Sequence, residues 1–167
     1  PRIRAELEFT AAGLSWVHAA YALTFGGLLL LAARAGDLLG RRRVFLVGLT
    51  VFSLALLAIG LAPTGEFMIA ARAVQGVGSA ILAPTSLALL TANFAAGPAR
   101  TKAVAAYGST AGIGASVGLV AGGLIAELTS WRVGFLVNVP IGILLAIGTV
   151  ALIRETERSR GRFDVFG

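Results

Sequence analysis

Five apolar runs, each long enough to cross a bilayer and each closed by charged or turn-forming residues, leave this 167-residue chain few folds to choose from. A transmembrane helix needs about 20 predominantly apolar residues. Hydrocarbon offers backbone groups no partner, so a spanning segment must satisfy its own hydrogen bonds, and an α-helix does so within one segment. The runs place spans at about residues 15–35, 44–61, 66–91, 103–126 and 133–153. With 57% hydrophobic and 13% charged residues, too little polar surface remains for a soluble globule. The expected fold class is an all-α integral membrane protein of five transmembrane helices. Residues 1–14 (PRIRAELEFTAAGL) alternate charge without an apolar run, and read as a polar or interfacial lead-in rather than a signal peptide. Residues 154–167 read as a polar linker.

Orientation follows from the basic residues. Arg34, Arg41, Arg42, Arg43, Arg100, Lys102, Arg154, Arg158, Arg160 and Arg162, ten of the fourteen, fall in segments that alternation assigns to one side, whereas the two short opposite turns hold only Arg132. Short basic loops stay cytoplasmic, so the lead-in is outside. An N-terminus outside without a signal predicts a further helix before Pro1. Trp16 and Tyr21 read as interfacial anchors of the first span, and Ala62-Pro63-Thr64-Gly65 as an outer turn.

The net charge of +6 does not imply nucleic acid, because the cations sit between apolar runs and not on a face with stacking aromatics. No cysteine is present, so thiolate chemistry is excluded. Gly114-Ala115-Ser116-Val117-Gly118 spells a nucleophile-elbow pattern, but it lies in an apolar helix without strand or base, and the sole histidine, His18, belongs to another span. With no metal cluster or nucleotide-binding motif, no cofactor, metal or enzymatic activity is expected.

Three features carry more than topology. Between the first two spans lies ARAGDLLGRRR, where Asp37 stands against Arg41, Arg42 and Arg43 across Gly40. A carboxylate at a membrane boundary calls for a cationic partner or helix amides, and so for a lock between helices; plain anchoring explains the arginines but not Asp37 or the glycines. In the third span, Arg72 lies about two turns from the outer end. A guanidinium at the bilayer centre costs about 2.5–3.5 kcal/mol on insertion scales. Arg72, Gln75, Gly76, Ser79, Ala83 and Ser86 share one helix face, which predicts a water-filled cavity or a neighbouring helix opposite; snorkelling to the outer headgroups is the alternative. Pro84 in the same span predicts a kink. The fourth span carries Gly108, Gly112, Gly114, Gly118, Gly122 and Gly123, spacing that lets helix backbones approach closely, with simple helix association as the other reading.

These segments resemble the major facilitator superfamily, in the branch of fourteen-helix drug:proton antiporters, as its helices 2 to 6. The knot resembles the loop between helices 2 and 3, with Asp37, Gly40 and Arg41 to Arg43 in place, Ala33 where the first glycine stands and Leu38 after the aspartate. Arg72, Gln75 and Gly76 match the fourth-helix pattern. Gly114, Gly118, Gly122 and Gly123 match the antiporter pattern of the fifth, with Leu119 at its proline. Trp131, Arg132, Phe135, Asn138, Pro140 and Gly142 resemble the run that opens the sixth.

The resemblance implies part of the N-terminal six-helix bundle of a proton-coupled multidrug or metabolite exporter working by alternating access. Asp37 with Gly40 and the arginines would form a cytoplasmic latch. Arg72, Gln75, Gly76 and Ser79 would line a proton route or cavity, and the Gly114–Gly123 stripe would make the helix contact that shifts between states. Implied partners are protons, an amphiphilic small molecule, the bilayer and the remaining helices of a full-length transporter. The expected location is the plasma membrane, with arginine-for-lysine and Ala/Gly/Leu/Val usage fitting a GC-rich bacterial genome. A uniporter or symporter of the same fold, or a truncated protein whose glycine faces only mediate assembly, are the alternatives.

Overall fold

A computed structural model describes residues 2–153; the stretch read as a cytoplasmic linker, with Arg154, Arg158, Arg160 and Arg162, lies outside the described residues. Every element among the described residues is helical: α1 (Arg2–Glu6), α2 (Ala11–Leu39), α3 (Arg41–Gly60), α4 (Gly65–Asn93), α5 (Pro98–Leu128), α6 (Trp131–Leu136) and α7 (Asn138–Leu152). Five helices are long and apolar enough to cross a membrane, with α6 and α7 together forming the last, Trp131–Leu152.

Local chemistry sets the boundaries. Thr10, Thr64 and Ser130 have extended backbones, and their hydroxyls accept from the N–H groups of Gly13 (3.0 Å), Phe67 (3.2 Å) and Arg132 (3.1 Å). Each supplies an acceptor to a helix start that otherwise lacks one. Gly97 takes φ of 133°, which turns the chain into Pro98, whose missing N–H is harmless in a first helical turn.

Between α2 and α3 the turn is a single residue. Gly40 has φ of 100°, a value side chains rarely adopt, and reverses the chain alone. The basic knot, read from sequence as a loop, is therefore mostly helix: Asp37 lies in the last turn of α2 and Arg41 to Arg43 open α3. The last span is also divided. Val137 keeps a helical backbone but separates α6 from α7, and Pro140 explains the break, because it cannot donate to the carbonyl of Leu136 four residues back. Pro84, by contrast, does not interrupt α4. Around it the Thr85 hydroxyl donates to the carbonyl of Ile81 and the Ser86 hydroxyl to that of Ala83 (3.0 Å), side-chain bonds of the kind that make helix-interior proline tolerable.

The centre of the bundle is α4, packed along most of its length against α2 on one side and α3 on the other. Glycines set the closeness. A methyl at Gly76 would strike the Tyr21 carbonyl and Thr24 hydroxyl of α2, and one at Gly78 would come within 2.7 Å of the Phe52 backbone nitrogen in α3. Gly48 of α3 likewise faces Ile81 of α4. Against α3 also pack α6 and α7, where Gly142 faces Ser53. α5 stands apart: it meets α6 and, lightly, α4, and buries no residue.

The lead-in contributes to the core. Leu7 and Phe9 are buried in one apolar cluster with Ile59, Ala62, Met68, Ala71 and Trp131, at the end where α3 and α5 finish. The alternating charges hide two inward-facing apolar residues, a pattern too short to register as a run.

Candidate functional site

Arg72 is half-buried on the face of α4 that meets α2. Its Nε donates to the Val17 carbonyl at 3.2 Å and its Nη1 to Gln75 Oε1 at 2.7 Å. The guanidinium carbon lies 4.9 Å from the centroid of the Tyr21 ring, which stacks at 5.9 Å on Phe25. A backbone carbonyl, a side-chain amide and an aromatic face thus replace the water a cation loses on entering a membrane. Of the options left open by sequence, the neighbouring helix is what Arg72 faces. Tyr21, expected as an interfacial anchor, is also a wall of this cage, where the ring offers a cation a favourable face without bringing another charge. One turn away, the Thr24 hydroxyl donates to the Ala73 carbonyl at 2.9 Å, tying α2 to α4 beside Gly76. Gly76 permits the approach, so Arg72, Gln75 and Gly76 work as one local unit: cation, acceptor and space.

From this cage Gln75 reaches a cavity. It is buried, 6% exposed, and lines a space of about 400 Å³ together with Phe52 and Leu56 of α3, Gly122 and Ala126 of α5, Trp131, Gly134, Phe135 and Asn138 of the last span, and Ile3 of α1. That volume falls within the range of small-molecule sites. Residues singled out from three separate motifs, Gln75, Gly122, Trp131 and Asn138, meet on its walls. Ser79, also buried, continues the polar side of α4 toward the other end of the helix.

Arg132 and Trp131 organise the end where α3 and α5 finish. Arg132 Nη1 donates to the carbonyls of Gly60 (3.2 Å) and Ala62 (2.8 Å), which complete the end of α3, and its guanidinium lies 4.5 Å above the Trp131 ring. A cation there faces the negative end of the helix dipole. Glu6 of α1 binds both: its carboxylate accepts from the Trp131 indole N–H and pairs with Arg132 Nε at 3.6 Å. Asn138 and Pro140 belong to the first turn of α7, where the Asn138 amide donates to the Gly134 carbonyl at 2.9 Å, bridging the break between α6 and α7.

At the opposite end the knot forms a second junction. Arg41 Nη2 pairs with Asp37 Oδ1 at 3.1 Å across Gly40, and its Nη1 donates to the Ala88 carbonyl of α4 at 3.3 Å. Arg42 Nη2 donates to the Val150 carbonyl near the end of α7 at 2.8 Å. Three helices other than α3 are therefore held by its first two residues. The glycine stripe is arranged differently: methyl groups added at Gly114, Gly118, Gly122 or Gly123 would meet no other described residue within 4 Å. The physical reason is the separation of α5, which leaves that face open.

Sequence reasoning missed Tyr21 and Thr24, whose aromatic and hydroxyl groups carry no spacing signal, and Gly48 and Gly78, which are isolated glycines without a partner four residues away. Nor did it find Glu6, whose partners lie 125 or more residues distant.

The described residues thus form a bundle of five helices long and apolar enough to cross a membrane, with a cation caged between two of them and a cavity alongside. The chain belongs to the major facilitator superfamily, whose family model matches residues 1–166. It is 46% identical over 167 residues to the MFS-type transporter EfpA of Mycobacterium tuberculosis, covering 100% of this chain and 31% of that protein. It is also 46% identical to the cephamycin export protein CmcT of Amycolatopsis lactamdurans (100% of this chain, 35% of the relative) and 44% identical to the puromycin resistance protein pur8 of Streptomyces alboniger (100% and 33%). The chain thus spans about a third of the length of the curated relatives it matches.

Proposed function

We propose that this chain is part of the N-terminal half of an exporter of amphiphilic drugs or metabolites that exchanges its substrate for protons by alternating access. The observation that carries the reading is the Arg72 cage opening through Gln75 onto the cavity. An intramembrane cation held by neutral groups responds strongly to any proton or carboxylate that arrives beside it, since its partners among the described residues carry no opposing charge. Gln75, which accepts from Arg72 and lines the cavity, links that charge to the substrate space. Export and resistance in the names of the relatives support the direction and the substrate class.

In this reading the Asp37, Gly40 and Arg41 to Arg43 junction is the cytoplasmic latch. Its bonds to the Ala88 and Val150 carbonyls depend on how α3 sits against α4 and α7, so rocking of these helices would break and remake them. The open face of Gly114, Gly118, Gly122 and Gly123 is where further helices of the full-length protein pack and slide. The test uses the full-length transporter in proteoliposomes carrying a pH gradient. Adding a cationic dye is expected to dissipate the gradient, and Asp37→Asn to slow that flux while leaving dye and proton movement coupled. Dye movement with no accompanying proton flux would exclude antiport.

A further inference from the structure

The cavity beside Gln75 lies in the outer half of the bundle. Leu56 is one turn from the end of α3, Ala126 is in the last turn of α5, and Trp131 opens α6. At that end Ile3, on α1, completes its wall. Two independent features hold α1 in this place. Leu7 and Phe9 are buried against Ile59, Met68 and Trp131. Glu6 is fastened to Trp131 and Arg132, the residues that also clasp the end of α3 through the carbonyls of Gly60 and Ala62. The segment is also folded on itself, with the Leu7 and Phe9 N–H groups donating to the carbonyls of Ile3 (3.1 Å) and Arg4 (3.0 Å).

The turn joining this unit to α2 is strained. Glu8 has φ of 51°, the one non-glycine residue with positive φ among those described. A left-handed backbone at a side-chain-bearing residue costs free energy and persists only where surrounding contacts hold it. Here those contacts are the two flanking apolar residues and the Glu6 fastening.

We propose that residues 2–10 form a lid over the outer mouth of the cavity, hinged at Glu8 and latched by Glu6 to Trp131 and Arg132. The latch joins the lead-in to the last span, so the lid closes only when the outer ends of α3 and α6 are together. Separation of those ends would pull the Glu6 contacts apart, and relief of strain at Glu8 would favour the lifted position. Both surfaces of the latch are partly exposed, which suits a contact that is made and broken repeatedly: Arg132 keeps 29% and Glu6 50% of the side-chain surface accessible. The lid rests on the transporter reading for its purpose, release of substrate to the outside, but its position and latch can be tested without transport.

The chain has no cysteine, so Leu56→Cys in the full-length protein, with cysteines elsewhere replaced by serine, reports access beneath the lid. The readout is the labelling rate by a membrane-impermeant maleimide added outside. Glu6→Gln, which removes the pairing with Arg132, is expected to raise the rate about 3- to 10-fold, in line with loss of one charge-assisted contact. Glu8→Pro, whose ring cannot adopt the positive φ, should raise it through the hinge. Labelling that stays at the parent rate in both variants overturns the lid. Dye efflux measured on the same vesicles reports separately on the transporter reading: its absence, with lid-dependent labelling intact, would remove the transport function and leave the lid.

Discussion

Arg72 is a cation whose desolvation its neighbours offset. Its guanidinium is bonded to Val17 and Gln75 and covered by Tyr21, all neutral groups. Cation–π contacts contribute roughly 0.5–2 kcal/mol as they become desolvated, so the ring matters most when the cavity is closed to water. Tyr21→Phe, which keeps the ring, is expected to preserve proton-coupled efflux. Tyr21→Leu should lower the rate about 3- to 10-fold, measured as initial dye efflux in vesicles at matched protein levels; equal rates for the two variants would show that the ring does not position Arg72. The arginine and its glutamine were legible in the sequence because both are polar residues in an apolar helix. The tyrosine was not, since an aromatic residue near a span end has an interfacial explanation that needs no partner.

At the scale of elements, two kinds of glycine divide the bundle. Gly76 and Gly78 are places where α4 meets α2 and α3 with no room for a methyl, whereas the α5 stripe faces open space within the described residues. Forcing a methyl into a packed contact costs typically 1–3 kcal/mol. Gly78→Ala is therefore expected to lower the thermal midpoint of the full-length protein, because the clash is with the Phe52 backbone, which cannot rotate away. Gly118→Ala should change the midpoint less and efflux more, through whatever helices pack there. A larger loss of stability from Gly118→Ala than from Gly78→Ala would contradict this division. Periodicity made the stripe conspicuous and isolated Gly78 invisible, so the sequence pointed at an unpaired face and passed over the close seam between α3 and α4. Helix existence was easily read, since 20 apolar residues have one structural solution in lipid. The single-residue turn at Gly40 and the break at Val137 were not, because each depends on one residue's backbone: the positive φ of Gly40 in one case, the missing N–H of Pro140 in the other.

For the whole molecule, the arginines divide the labour of holding helix ends. Arg132 completes the C-terminal end of α3, while Arg41 and Arg42 reach α4 and α7 at the other end of the bundle. Each meets carbonyls near a helix C-terminus, where the dipole favours a cation. These basic residues thus tie neighbouring helices together. Among the described arginines Arg72 alone is placed between the two ends, which is why the central claim concerns it. The most direct measurement is dye transport by the Arg72→Ala full-length protein under two conditions, exchange of internal for external dye with no gradient and accumulation driven by a pH gradient. The account predicts that exchange continues while gradient-driven accumulation falls at least about tenfold, a loss of about 1.4 kcal/mol of coupling or more. Gradient-driven accumulation at the wild-type rate would contradict it.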